Sequence, residues 1–303
     1  MKNGSTFRPG AKKKLIFYCA FMAWPMLQFA IFYIGVNFNS LLLSFKEIDV
    51  YDYGKFSFTP NNFIKWFADP ALNKQFTESL QVSLQVYLIT LVVGVPLGLF
   101  FAYYIFKKMP LAGFFRVMLF LPSMLSAIVL VPIYVCFVGN VVPEFMKALN
   151  LESVSLLAEH RFATVMFYNV LVGFGTSVLM YSNKMTSISP EIIESAHLDG
   201  ASGLKEFWYI VLPMAFPTVS VFLVTGVAGI FINQINAFIF FGTDWKSDIR
   251  TIGYLMYVKT YNAKQNISEY PQIAALGIIL TLIAVPLTFL VRWLLNKFGP
   301  SED

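Results

Sequence analysis

The residues best placed to do chemistry in this chain are polar side chains set among apolar ones. Asn169, Gly173 and Thr176 fall at i, i+4 and i+7, which is one face of a helix. Gly226, Gly229, Asn233 and Asn236 share a face of a later segment, with Gln234 adjacent. Amides and a hydroxyl exchange neutral hydrogen bonds with a hydroxyl-bearing solute, and Phe231 and Phe238 offer an apolar platform for a ring. The competing role for the same residues is to pack and hydrogen-bond helices together. No acidic residue accompanies them, which argues against proton or cation coupling in this chain and against a strongly ionic solute. His160 and His197 lack partners at metal-ligand spacing, and Cys19 and Cys136 lie far apart in apolar runs, so no metal site is expected. The sequence contains no GxxxxGK[ST] phosphate loop and no catalytic constellation, so the expectation is a non-enzyme.

A second group lies in a polar segment, 184–213. It reads Ser189-Pro190-Glu191, then Glu194-Ser195-Ala196, then Asp199-Gly200-Ala201-Ser202. Ser189 suits an N-cap, Pro190 the first helical position, and Glu191 the first turn, where the helix dipole favours an anion. Gly200 suits the left-handed position that ends a helix. Ser202 then starts a second short helix that is expected to stop before Pro213. The small residues Ser195, Ala196 and Ala201 let another surface approach closely.

These groups must be held by apolar helices. Of the 303 residues 57% are apolar and 13% charged, against about 25% charged in soluble domains. Mean hydropathy is +0.65. A soluble enzyme, a disordered chain and a disulfide scaffold are therefore excluded, and a polytopic helical membrane protein is expected. Six charge-free runs, 15–45, 79–106, 117–143, 162–183, 207–243 and 270–291, are each long enough to cross a bilayer. The fifth is too long for one crossing, and Pro213 with Pro217 is expected to divide a surface helix from the crossing itself. The predicted crossings are 15–43, 80–106, 115–138, 162–182, 214–237 and 272–294, and the first is expected to be retained rather than cleaved. Twelve of the 22 Lys and Arg fall on the side that holds both termini, including Lys2, Arg8 and the Lys12–Lys14 run, which places that side in the cytoplasm. Segments 46–78, 139–161 and 242–271 then face outward. Trp24, Trp66, Trp293 and the Tyr51–Tyr53 pair suit membrane interfaces. The loop 184–213 is cytoplasmic and acidic, which excludes nucleic acid as a partner.

The residues Glu194-Ser195-Ala196-x-x-x-Gly200, nine residues, then Ile210-x-Leu212-Pro213 resemble the EAA loop of ABC importer permeases, with Ser195 in place of the usual second Ala. Ile188-x-Pro190, Asp199-Gly200-Ala201, Phe207 and Pro217 resemble the carbohydrate-uptake branch. So do Phe114-Phe115-Arg116 leading to Leu121-Pro122, and Asn62-Phe63 followed by Phe67-x-Asp69-Pro70. The resemblance covers nearly the whole chain after residue 15. It is closest to the first of the two permeases in maltose-type systems, without the larger inserted outer domain.

The resemblance implies an all-α, type I ABC importer permease fold with six transmembrane helices, in a bacterial inner membrane. A cytoplasmic segment 1–14 would precede the permease domain 15–297, and a tail 298–303 would follow it. Glu191, Glu194, Ser195, Ala196, Asp199, Gly200, Ala201, Ile210, Leu212 and Pro213 would couple to a cytoplasmic ABC ATPase dimer that carries the ATP and Mg. A second, homologous permease would complete the pathway as a heterodimer, and an extracytoplasmic solute-binding protein would deliver a sugar or oligosaccharide. Asn169 and Gly173 coincide with an Asn and a Gly that line the family's sugar site, Asn233 falls on a polar site position, and Thr176 stands where the family has Tyr. The alternatives are an ABC importer for a non-sugar solute and a membrane-embedded sensor or scaffold that uses the loop only for docking.

Overall fold

In a computed structural model, the described residues are 9–48, 56–152, 154–243 and 247–300. Lys2, Arg8, the Tyr51–Tyr53 pair and the end of the tail lie outside them. The described chain is built from helices, and six are long and apolar enough to cross a membrane: α1 (Lys13–Ser44), α3 (Pro70–Phe106), α5 (Ala127–Ala148), α6 (Arg161–Thr186), α8 (Leu204–Gly229) and α11 (Ile267–Phe298). Between them lie the strands β1 (Lys46–Ile48) and β2 (Phe56–Phe58) and the helices α2 (Asn61–Ala68), α4 (Ala112–Met124), α7 (Pro190–Leu198), α9 (Ala237–Phe241) and α10 (Ile252–Asn262).

The chain divides into two compact units, residues 1–65 with 263–279, and residues 66–262 with 280–303. In the first, α1 buries none of its most apolar stretch within this chain. The segment after α1 begins with a two-stranded antiparallel ribbon, Lys46 opposite Phe58 and Ile48 opposite Phe56. Buried Asn62 staples it: its Nδ2 donates to the Ser44 and Lys46 carbonyls at 3.0 and 2.8 Å. Lys65 pairs with Glu47 at 2.8 Å on the exposed side.

The second unit holds α3, α5, α6 and α8, and α11 from residue 280 onward. Asp69 caps α3, accepting from the Ala71 and Leu72 amides, with Pro70 at the first helical position. One apolar cluster joins α3, α6 and α8 through Leu99, Ala102, Val178, Tyr181, Phe207 and Val211. A second joins α3, α6, α9 and α10 through Val82, Val86, Val165, Met166, Ala237 and Tyr254. Gly175 lets α6 lie directly on the α4 backbone, where a β-carbon would collide with the Leu119 carbonyl.

Three expectations are corrected. The third crossing is not one helix over 115–138: α4 stops at Met124, and Ser126 caps α5 through the Ile128 amide. Pro122, which lacks an N–H to continue the ladder, lies just before the interruption. Pro213 and Pro217 do not divide the fifth run, because α8 continues from Leu204 through both to Gly229. A π-type turn at Phe207–Val211 shifts the hydrogen-bond register just ahead of Pro213, so its missing donor falls where the ladder is already rearranged. Finally, the fifth crossing ends at Gly229 rather than 237. Residues 230–236 are not helical, and Ile235 and Asn236 both have positive φ, 47° and 57°.

Candidate functional site: an uncharged cavity and a loop helix

The break after Gly229 changes the geometry of the fifth-crossing residues. Asn233 and Asn236 do not lie on a helix with Gly226 and Gly229; they belong to irregular backbone beyond it. Non-helical backbone among membrane crossings is tolerated where protein or a cavity takes over its polar groups, and here both happen. Asn233 Oδ1 accepts from the Ile235 amide at 2.9 Å, and its carbonyl accepts from the Thr251 hydroxyl at 2.7 Å. Asn169 on α6 donates to the Val165 carbonyl at 2.8 Å and to the Ile235 carbonyl at 2.9 Å. Its Oδ1 accepts from Asn236 Nδ2 at 3.2 Å. Asn169 therefore ties the broken segment to α6.

Beside the break lies a cavity of about 390 Å³. Its walls come from α3 (Val86, Thr90, Gly94), α6 (Asn169, Gly173, Ser177), α8 (Thr225, Gly226) and the break (Asn233, Ile235). A smaller cavity of about 130 Å³ shares Val86, Thr90, Gly226 and Asn233 and reaches Ser83 and Thr251. Among the described residues, no charged side chain lines either one. Of the sequence-predicted residues, Asn169, Gly173, Asn233 and Gly226 line the larger cavity; Thr176, Gln234 and Asn236 do not. The repeat on α6 is Asn169, Gly173, Ser177, and Thr176 is exposed on another side. Sequence reading missed Thr90, Ser83 and Thr251, ordinary hydroxyls that only the packing of α3 and the 249–254 turn brings to the walls. Gly173 has open space at its β-carbon position, so its lack of a side chain widens the cavity rather than admitting a neighbour.

The loop group forms the helix α7. Pro190 occupies its first position and Ser189 precedes it in extended backbone. The helix ends in a Schellman motif: Gly200 sits at φ 78°, the Ala201 amide donates to the Ala196 carbonyl at 2.9 Å, and the Gly200 amide donates to that of His197 at 3.0 Å. Ala196 is buried, while Glu191, Glu194, Ser195, Asp199 and Gly200 are exposed. Ile210, Leu212 and Pro213 are half-buried in α8. Leu198, 90% exposed at the end of α7, is an apolar knob that sequence reading did not single out. Ser202 does not cap α8; Gly203 stands at that position, with φ 58°. A groove of about 890 Å³ runs beside α7, with Lys108, Arg116, Glu194 and His197 on its walls.

Beneath α7 a carboxylate is buried that the sequence marked only as one acid among several. Glu206, fully buried, accepts from Lys107 Nζ at 3.1 and 3.0 Å and lies 2.6 Å from His197 Nε2. Nearby, the Tyr103 hydroxyl donates to the Gly203 carbonyl at 3.0 Å. Among the described residues, no group of three His, Cys, Asp or Glu is placed to hold a metal ion.

Comparison with known proteins agrees with this architecture. The permease MsmF of the multiple sugar-binding transport system of Streptococcus mutans is 28% identical over 291 residues, covering 94% of this chain and 93% of its own. The arabinooligosaccharides transport permease AraP of Halalkalibacterium halodurans is 26% identical over 250 residues, covering 78% and 77%. A chain in the crystal structure of a bacterial ABC transporter involved in import of the acidic polysaccharide alginate superposes with TM-score 0.77 at 19% identity, covering 95% of this chain and 97% of its own. The same transporter in complex with an alginate pentasaccharide-bound periplasmic protein gives 0.78 at 20% identity, covering 96% and 98%. These two likenesses concern the fold. Residues 94–301, which carry α7 and most of the cavity wall, match the binding-protein-dependent transport system inner membrane component, and the chain is a multi-pass membrane protein of that family.

Proposed function

We propose that this chain is the solute-conducting permease subunit of an ATP-driven importer of an uncharged oligosaccharide. The observation that carries this reading is the cavity between α3, α6, α8 and the 230–236 break, whose polar atoms are amides, hydroxyls and backbone groups without a charge. Such a lining suits sugar hydroxyls and leaves a uronate carboxylate without a cationic partner. The substrates named for MsmF and AraP, both matched over most of their length, support a carbohydrate.

In this reading α7 docks a cytoplasmic ATPase through Glu191, Glu194, Ser195, Leu198 and Asp199. ATP and Mg reside on that partner. Both termini are cytoplasmic, a second homologous permease faces the cavity, and a solute-binding protein delivers substrate at the outer side; the alginate transporter's complex with a pentasaccharide-bound periplasmic protein supports such a partner. The test is purification from native membranes by a tag on this chain. An ATPase and a second permease should co-purify, and neutral oligosaccharides offered with the binding protein should stimulate hydrolysis in proteoliposomes. A complex without an ATPase, or one stimulated by acidic but not neutral oligosaccharides, would refute the reading.

A further inference from the structure

The backbone between α7 and α8 is a poor transmitter of force. It contains Gly200 and Gly203, both at positive φ and both with open space where a β-carbon would stand. Across this link runs a side-chain bridge. His197 near the end of α7 and Glu206 at the start of α8 meet at 2.6 Å, and Lys107 at the end of α3 closes on both Glu206 oxygens. Tyr103, one turn earlier on α3, holds the link itself through the Gly203 carbonyl. Three elements that the backbone joins loosely are thus joined by one fully buried carboxylate.

Burying a charge pair is seldom the most stable choice, since apolar residues of the same volume often serve as well or better. What it provides is a directional contact: apolar surfaces slide past one another, whereas a carboxylate held from two sides fixes register. We propose that Glu206, gripped by Lys107 and His197, is a positioning residue that carries displacement of α7 to α3 and α8, two of the helices that wall the cavity. The proposal rests on the reading of α7 as the ATPase dock.

The test uses the complex purified from the native host, with Cys19 and Cys136 replaced by Ser and a reporter, Ser177→Cys, in the cavity wall. Labelling of the reporter by a fluorescent maleimide is timed with and without MgATP and vanadate. Sites coupled by a shared two-state element affect each other about 5- to 150-fold, so the labelling rate should change at least about fivefold. In Glu206→Gln and in Lys107→Met the ATPase should still co-purify, while the response falls below about twofold. The reciprocal pair, Lys107→Glu with Glu206→Lys, should restore it. A full response in both single variants overturns the proposal. So does failure of single and reciprocal variants alike to accumulate, which would make the bridge purely structural. If no ATPase accompanies the unsubstituted chain, the docking reading fails, and the proposal with it.

Discussion

Gly253 makes the clearest test of the broken fifth crossing. It lies at the start of α10, directly over the backbone that presents Asn233 to the cavity. An alanine β-carbon there would stand 2.5 Å from the Ile232 carbonyl oxygen, 2.6 Å from its carbon and 2.9 Å from the Asn233 oxygen. The closest of these falls 0.9 Å short of the 3.4 Å at which ordinary contact begins. Backbone must yield, and this backbone is held: Asn233 donates its amide to Gly229, Thr251 donates to the Asn233 carbonyl, and Asn169 donates to that of Ile235. Overpacking of this kind costs about 1–3 kcal/mol, partly offset by roughly 0.5–1 kcal/mol from removing glycine's excess freedom in a helix. A net loss of about 1–2 kcal/mol lowers the thermal midpoint by roughly 2–4 °C for a chain of this size. The assay is the midpoint of the detergent-solubilised, fluorescently tagged chain, followed by size-exclusion chromatography after heating. Gly173→Ala is the control, because nothing lies within 4 Å of its added carbon. A Gly253→Ala midpoint equal to the unsubstituted one would mean that the 232–233 backbone gives way freely, and the argument for a rigid platform under Asn233 would fall.

Gly173→Ala should leave yield and midpoint unchanged yet reduce uptake, since its methyl projects into open space at the cavity wall; normal uptake would remove Gly173 from the path. Asn169→Ala orphans the Ile235 carbonyl and Asn233→Ala the Ile235 amide, each a loss of about 1–3 kcal/mol, so both variants should lower complex yield as well as uptake; full yield in either one would show that the bond it removes does not hold the unwound segment. Gly200→Leu forces a side chain into a left-handed residue at about 1–2 kcal/mol, and transport should fail while the subunit accumulates; intact uptake and ATPase co-purification would show that this cap does not matter. Cysteines at Asn61 and Ser195, in a background without Cys19 and Cys136, should react with an impermeant thiol reagent in intact cells at 61 only; the opposite pattern would invert the orientation.

The number of crossings and the ends of α7 were legible in the sequence because they rest on short-range physics, although the Ser189 side chain makes no capping hydrogen bond. Charge-free runs of bilayer length and the Ser189-Pro190 and Gly200 signals depend only on neighbours along the chain. The first crossing, 15–43, lies within α1, and Gly200 adopts the left-handed backbone its position implied. What failed to show locally was decided by packing. Pro213 and Pro217 looked like a helix stop, yet a π-type turn and the Val211 and Ala215 contacts carry α8 through them. Gly229 to Asn236 looked like helix, yet Asn169 and Thr251, 66 and 18 residues away from their partners, stabilise an unwound segment there. That long-range capture is why Asn233 reaches the cavity from a turn rather than a helix face. The Glu206 bridge was likewise invisible: Lys107 and Glu206 stand 99 residues apart, and only the packing of α3 against α8 removes water from between them.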